Sequence, residues 1–198
     1  MFFGATREQV RAILDGPHQY PPMRGLPELR RAVAENGKRF FGIGADWESE
    51  VLVTSGATEA LGAAFFALLN PGDEAIILEP AYDSYAPIIE RAGAAVVPVR
   101  LVAPDWALPK EALEAAVTEK TRIIVVNTPM NPTGKVFSAE ELAWLADFIE
   151  RHDLVAVCDE VYEHLTFDGE KHASLLGIAK ARPRTVRIGS AGKSFSMT

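Results

Sequence analysis

The chain has 198 residues, 48% of them hydrophobic and 24% charged, which is ordinary globular material with apolar side chains enough for one sizeable core. Net charge is −7, from 27 acids against 20 bases with no basic run, so nucleic acid and anionic membrane surfaces are poor partners. The most apolar stretch, Leu61–Leu69, is too short to span a bilayer, and the single cysteine, Cys158, has no partner. At the amino end, Met1-Phe2-Phe3-Gly4 shows neither a charged start nor a long apolar run, so no signal peptide is expected. A lone cysteine suits a reducing compartment, and the expectation is a cytoplasmic chain.

Thr6-Arg7-Glu8-Gln9 has the form of a capping box and opens a helix that Gly16-Pro17 should end. After a proline-rich loop, His18 to Arg24, Pro27 sits in the first turn of a helix reaching Phe41. Residues 1–45 therefore read as a helical segment and 46–198 as one larger domain. In that domain short β-rich runs recur at Val51–Thr54, Glu74–Glu79, Ala95–Arg100, Arg122–Asn127, Leu154–Cys158 and Thr185–Gly189. Between them lie helical patterns at Thr58–Leu69, Ser84–Ala92, Lys110–Val117 and Ser138–Arg151, the last opened by a second capping box, Ser138-Ala139-Glu140-Glu141. Strand runs that are apolar throughout, with helices between, imply a parallel sheet covered on both faces. The fold class is α/β, doubly wound or close to it.

In such sheets ligands bind beyond the carboxyl ends of the strands. The polar clusters that follow strands are Ser55-Gly56-Ala57-Thr58, Pro80-Ala81-Tyr82, Asn131-Pro132-Thr133-Gly134, Asp159-Glu160 and Ser190-Ala191-Gly192-Lys193. Each has a bland reading alone. An acid ending a strand is often a cap, Asn-Pro starts turns, and a lone lysine is usually solvated. Their order along one sheet end is what carries information. The four histidines are scattered without metal-ligand spacing, so no metal site is expected.

The text Val51-Leu52-Val53-Thr54-Ser55-Gly56-Ala57-Thr58-Glu59-Ala60-Leu61, then Asn127-Thr128-Pro129-Met130-Asn131-Pro132-Thr133-Gly134, Asp159-Glu160-Val161-Tyr162 and Gly189-Ser190-Ala191-Gly192-Lys193, resembles the fold-type-I pyridoxal-phosphate (PLP) enzymes. Within them it is similar to the class I/II aminotransferases, in the branch holding kynurenine, methionine and succinyldiaminopimelate aminotransferases. The resemblance implies transfer of an amino group from an amino acid to a 2-oxo acid, with Lys193 carrying PLP as an internal aldimine and its freed amine moving the substrate proton. It implies that Asp159 pairs with the pyridinium nitrogen, its pKa lowered by that opposite charge, and that Asn131 and Tyr162 hydrogen-bond the phenolic oxygen. Tyr82 would stack on the ring, while the Ala57 and Thr58 N–H groups and Ser190 would hold the phosphate. Tyr20 would reach that phosphate from the partner subunit of a homodimer, and Asn127 would be a second active-site asparagine.

The same resemblance implies that residues 46–198 form an incomplete PLP-binding large domain. The family's lysine motif continues into a glycine and a phosphate-binding arginine. An antiparallel last strand and a small carboxy-terminal domain, with the arginine that grips substrate carboxylate, come after. A fragment of a longer enzyme is therefore expected. A β-lyase of the same fold and a non-catalytic fragment are the alternatives, because elimination and transamination share one carbanion. A P-loop nucleotide binder is weaker. Gly192-Lys193-Ser194 has the right ending, but the loop's first glycine would fall on Arg187. No Gly-x-Gly-x-x-Gly follows any strand, which counts against a dinucleotide fold.

Overall fold

A computed structural model of the chain describes residues 7–16 and 19–196, apart from the side chain of Gln9. Thr6 and Gln9 of the first capping box, and His18, thus lie outside the described residues and side chains. The chain divides into two units, one up to Thr54 and one from Ser55 onward.

The first unit holds α1 (Arg7–Asp15) and α2 (Pro27–Phe41). Pro27 stands in the first turn of α2, where a missing N–H costs nothing, and Gly42 ends the helix in the left-handed region at φ 68°. Residues 51–54, expected as a strand, are not one. Their backbone groups have other partners. The Val53 N–H donates to Arg24 O at 3.0 Å, and Val51 O accepts the buried Arg30 Nε at 2.9 Å. Gly25 makes this closeness possible: it has φ 95°, and a Cβ there would lie 2.6 Å from the Val53 side chain.

The second unit is an α/β sandwich built as expected from alternation. In chain order it contains α3 (Gly56–Leu68), β1 (Glu74–Glu79), α4 (Tyr85–Arg91), β2 (Ala95–Arg100), α5 (Lys110–Ala116), β3 (Thr121–Asn127), α6 (Ala139–Arg151), β4 (Val155–Asp159), β5 (Thr185–Ile188) and α7 (Ala191–Phe195). All strand pairings are parallel, in the order β2-β1-β3-β4-β5. The chain winds outward from β1 to β2, then crosses back to β3, so the order in which strands are added reverses between β1 and β3. That is where a doubly wound sheet opens a crevice.

Side chains alternate between two cores. Ala75, Ile77, Ile123, Val125, Val157 and Ile188 face Leu61 and Phe65 of α3 and Ile89 of α4. Ile76, Leu78, Ile124, Val126, Ala156 and Cys158 face Leu113 of α5 and Leu142, Leu145 and Phe148 of α6. Coverage on both faces holds for the inner strands. The edge strand β2 is only partly covered, with β1 as its one neighbour among the described residues. Among the described residues no helix is long and apolar enough to cross a membrane.

Candidate functional site

The period-2 alternation decides which face receives the chemistry. Asn127 ends β3 and Asp159 ends β4, paired in register. Each continues the alternation of Val125 and Val157, so both side chains lie on the α3/α4 face. There they join the start of α3, the connection after β1 and the turn after β5. One cleft of about 190 Å³ is lined by Ala57, Thr58, Leu61, Tyr82, Asn127, Asn131, Asp159, Val161, Tyr162, Ser190 and Lys193. Every residue singled out in the sequence except Tyr20 lines it. Tyr20 belongs to the first unit and is 94% exposed.

The walls are built by local rules. Gly56 takes φ 81°, which turns the chain into α3, and the following first-turn N–H groups of Ala57 and Thr58 lack intrahelical acceptors. The Glu59 carboxylate reaches back to the Ser55 N–H. Asn127 spends its amide on the frame: Nδ2 donates to Asp159 O at 2.8 Å, and Oδ1 accepts the Asn131 N–H at 2.7 Å. It thereby ties two strand ends to the turn that presents Asn131, a turn finished by Gly134 at φ 73°. Ser190 caps α7, its oxygen accepting the Lys193 N–H at 3.3 Å, and the Lys193 ammonium lies 5.7 Å from the centre of the Tyr162 ring.

Asp159 is 4% exposed. Its Oδ2 accepts the Tyr85 hydroxyl at 2.5 Å, and its Oδ1 accepts the Val161 N–H at 3.3 Å. The expected lowering rests on the charge of a pyridinium nitrogen, and the protein's own groups act the other way. Burial raises the carboxyl above its ordinary value and outweighs the two hydrogen bonds, while Glu160 adds to the rise and Lys193 opposes it. Such an acid is short of positive partners. A cationic donor entering the cleft would find it ready.

Two features went unread in the sequence. Tyr85 lies three residues after Tyr82, and nothing in the one-dimensional text says which of the two meets Asp159. Behind the site, on the α5/α6 side of the sheet, Glu160 is fully buried and accepts His172 Nε2 at 3.0 Å, Ser174 Oγ at 2.7 Å and Arg187 Nε at 2.5 Å. Arg187 also pairs with Glu163. The available signal was an arginine inside an apolar strand run, since a charge there needs a partner. Among the described residues no group of three or more His, Cys, Asp or Glu side chains could hold a metal. A wider cleft of about 720 Å³ beyond β1 and β2 is lined by Glu79, Arg100 and Trp106 with apolar neighbours, and holds no lysine or amide side chain.

The family model "Aminotransferase class I and II" matches residues 5–198. The probable N-succinyldiaminopimelate aminotransferase DapC of Mycobacterium tuberculosis (strain H37Rv) is 50% identical over 190 residues, covering 94% of this chain and 48% of that protein. The methionine aminotransferase of Escherichia coli (strain K12) is 40% identical over 186 residues, covering 94% and 48%. Among solved structures, the aromatic aminotransferase from Pyrococcus horikoshii OT3 superposes with a TM-score of 0.92 at 38% identity, covering 96% of this chain and 51% of that one. The chain spans about half the length of the curated relatives it matches.

Proposed function

Since this chain belongs to the class I and II aminotransferases, we propose that its cleft is a PLP site, and that the protein moves an amino group from an amino acid to a 2-oxo acid. The observation that carries the reading is the meeting of a buried carboxyl, Asp159, with Lys193 and Tyr162 at the carboxyl ends of adjacent parallel strands. The donor set suits such a cofactor at both ends. A buried acid with no cation hydrogen-bonded to it suits a protonated ring nitrogen, and the free N–H groups of Ala57 and Thr58 with the Ser190 hydroxyl suit a phosphate.

Bound there, PLP would supply an electron sink for the substrate's α-carbon. Asp159 would hold the ring nitrogen and, by its charge, favour a proton there. Lys193 Nζ would hold the cofactor at its aldehyde carbon, and its amine would be the group that moves the proton of the substrate's α-carbon. Asn131 and Tyr162 would donate to the phenolic oxygen, and Tyr82 would cover the ring face. Asn127 contributes by seating Asn131, a role supported by its two hydrogen bonds. The exposed Tyr20 is proposed to serve the phosphate of a partner subunit in a homodimer, and the cytoplasm is the proposed compartment, in keeping with one buried cysteine.

The test is chemical. The protein is incubated with PLP, reduced with borohydride and mapped by mass spectrometry, alongside amino-transfer assays over a panel of amino acids and 2-oxo acids. The adduct is expected on Lys193 and is expected to vanish in Lys193→Ala together with turnover. A reducible adduct in the cleft of that variant would refute the assignment.

A further inference from the structure

Tyr85 opens α4 and is 2% exposed. Its ring meets the Tyr82 ring edge-on, at 5.6 Å between centres and 77° between planes. Its hydroxyl donates to Asp159 Oδ2 at 2.5 Å. A buried phenol needs an acceptor, and a backbone carbonyl would have served. Here it takes the carboxylate on which the cofactor reading depends. The other carboxylate oxygen has the Val161 N–H, a longer contact at 3.3 Å.

We propose, on the strength of that reading, that Tyr85 is a positioning residue of the site: its hydroxyl sets the orientation and acceptor strength of Asp159 toward the ring nitrogen, while its ring backs Tyr82. Two arguments support the assignment. First, one side chain touches both groups that would hold the ring, the acid at its nitrogen and the aromatic on its face, so the ring's seat is fixed by a single anchor in α4. Second, the donor role has a definite sign. Burial, then the charge of Asp159, pushes the Tyr85 phenol well up, so the proton stays on Tyr85 and the carboxylate accepts it. This hydrogen bond is the largest influence opposing the burial of Asp159. Without it, the acid would lean toward its neutral form, which is a poorer partner for a pyridinium. The other titratable or charged groups acting on the pair are Tyr82 from the turn before α4, Glu160 and Tyr162 from the segment after β4, and Lys193 from α7.

The experiment reads the carboxyl directly, without cofactor. The Asp159 side-chain carbon is titrated by NMR on protein with isotope-labelled aspartate, assigned by its loss in Asp159→Asn. The wild type is compared with Tyr85→Phe, which keeps the ring and its packing, and with 3-fluorotyrosine at position 85, which keeps the hydroxyl and makes it a stronger donor. The Asp159 midpoint is expected to move up in Tyr85→Phe and down with fluorotyrosine. PLP affinity near neutral pH should fall about tenfold in Tyr85→Phe, the scale of one hydrogen bond to a charged group. An unchanged midpoint in a folded Tyr85→Phe protein overturns the proposal. Failure of the cofactor reading shows separately, as absence of the Lys193 adduct in the wild type, whatever the midpoint does.

Discussion

At Asp159 folding and the proposed chemistry pull in opposite directions. The charged form is what a protonated ring nitrogen needs, yet burial is the first cause of its raised pKa. The consequence for stability has a definite sign. Between the ordinary carboxyl value and the raised one, the folded state holds more protons than the unfolded, so this residue's contribution declines as pH rises through that window. Above it the penalty is complete. Asp159→Asn removes the ionisation, so without cofactor the variant should gain on the wild type as pH rises through the same window and keep the gain above it. Urea unfolding at a series of pH values checks this, and a difference that does not change with pH would refute it. The same variant should hold PLP but lose on the order of 2–4 kcal/mol of transition-state stabilisation in single-turnover amino transfer, the scale for losing a preorganised charge. At this scale much of the cleft was legible, because strand ends of one parallel sheet must share an edge. The partners were not. That Tyr85 rather than Tyr82 meets Asp159, and that Asn127 spends its amide on Asp159 O and Asn131, depends on distances between segments far apart in the chain.

Among the elements, the ones with local signals were legible. Pro27–Phe41 was set by Pro27 and the glycine after Phe41, and the strands beginning at Glu74, Ala95 and Thr185 by β-rich runs bounded by turns. Residues 51–54 carry the same β-rich signal, but a strand also requires a neighbour, and here Arg24 and Arg30 take those backbone groups. The capping box of α6 formed in full: the Ser138 hydroxyl accepts the Glu141 N–H at 3.2 Å, and the Glu141 carboxylate accepts the Ser138 N–H at 2.8 Å. Ser138→Ala should cost about 1 kcal/mol. Glu141 does more than the motif announces, since it also accepts the Leu108 N–H at 3.0 Å and pairs with Lys135 at 2.9 Å. Glu141→Ala should therefore cost roughly 2 kcal/mol, beyond one neutral hydrogen bond. Thermal or urea unfolding of both variants tests the order, and a larger loss in Ser138→Ala would contradict it.

Across the whole second unit, the sheet separates two kinds of polarity by alternation along its strands. Asp159 belongs to the α3/α4 face, while Cys158 and its register partner Arg187 belong to the other. The buried Glu160 and Glu163, the His172 side chain and the partly buried Arg187 cluster on that second face, fastening the segment after β4 to β5 directly behind the cleft. The Glu160 N–H adds a backbone bond to Ile188 O at 2.8 Å. Such a cluster contributes little net stability when intact but costs heavily when one partner goes, because the remaining charges stay buried. Arg187→Met keeps the side chain's bulk and removes its charge, leaving the Glu160 and Glu163 carboxylates without their arginine. The expected loss is about 3–5 kcal/mol at neutral pH. Its pH dependence identifies the cause. Burial already raises the Glu163 carboxyl, and the Arg187 charge is the main influence holding it down. Without that charge the folded value rises further, so stability falls more steeply as pH climbs through the carboxyl range, and the deficit narrows in acid. Adding Glu163→Gln to Arg187→Met should recover part of the loss at neutral pH. Urea unfolding of the wild type, the single and the double variant over a pH series reads all of this. A deficit below about 1 kcal/mol, or one equally large in acid, would show that Arg187 acts through packing and that its ion pairs do not brace the floor of the cleft.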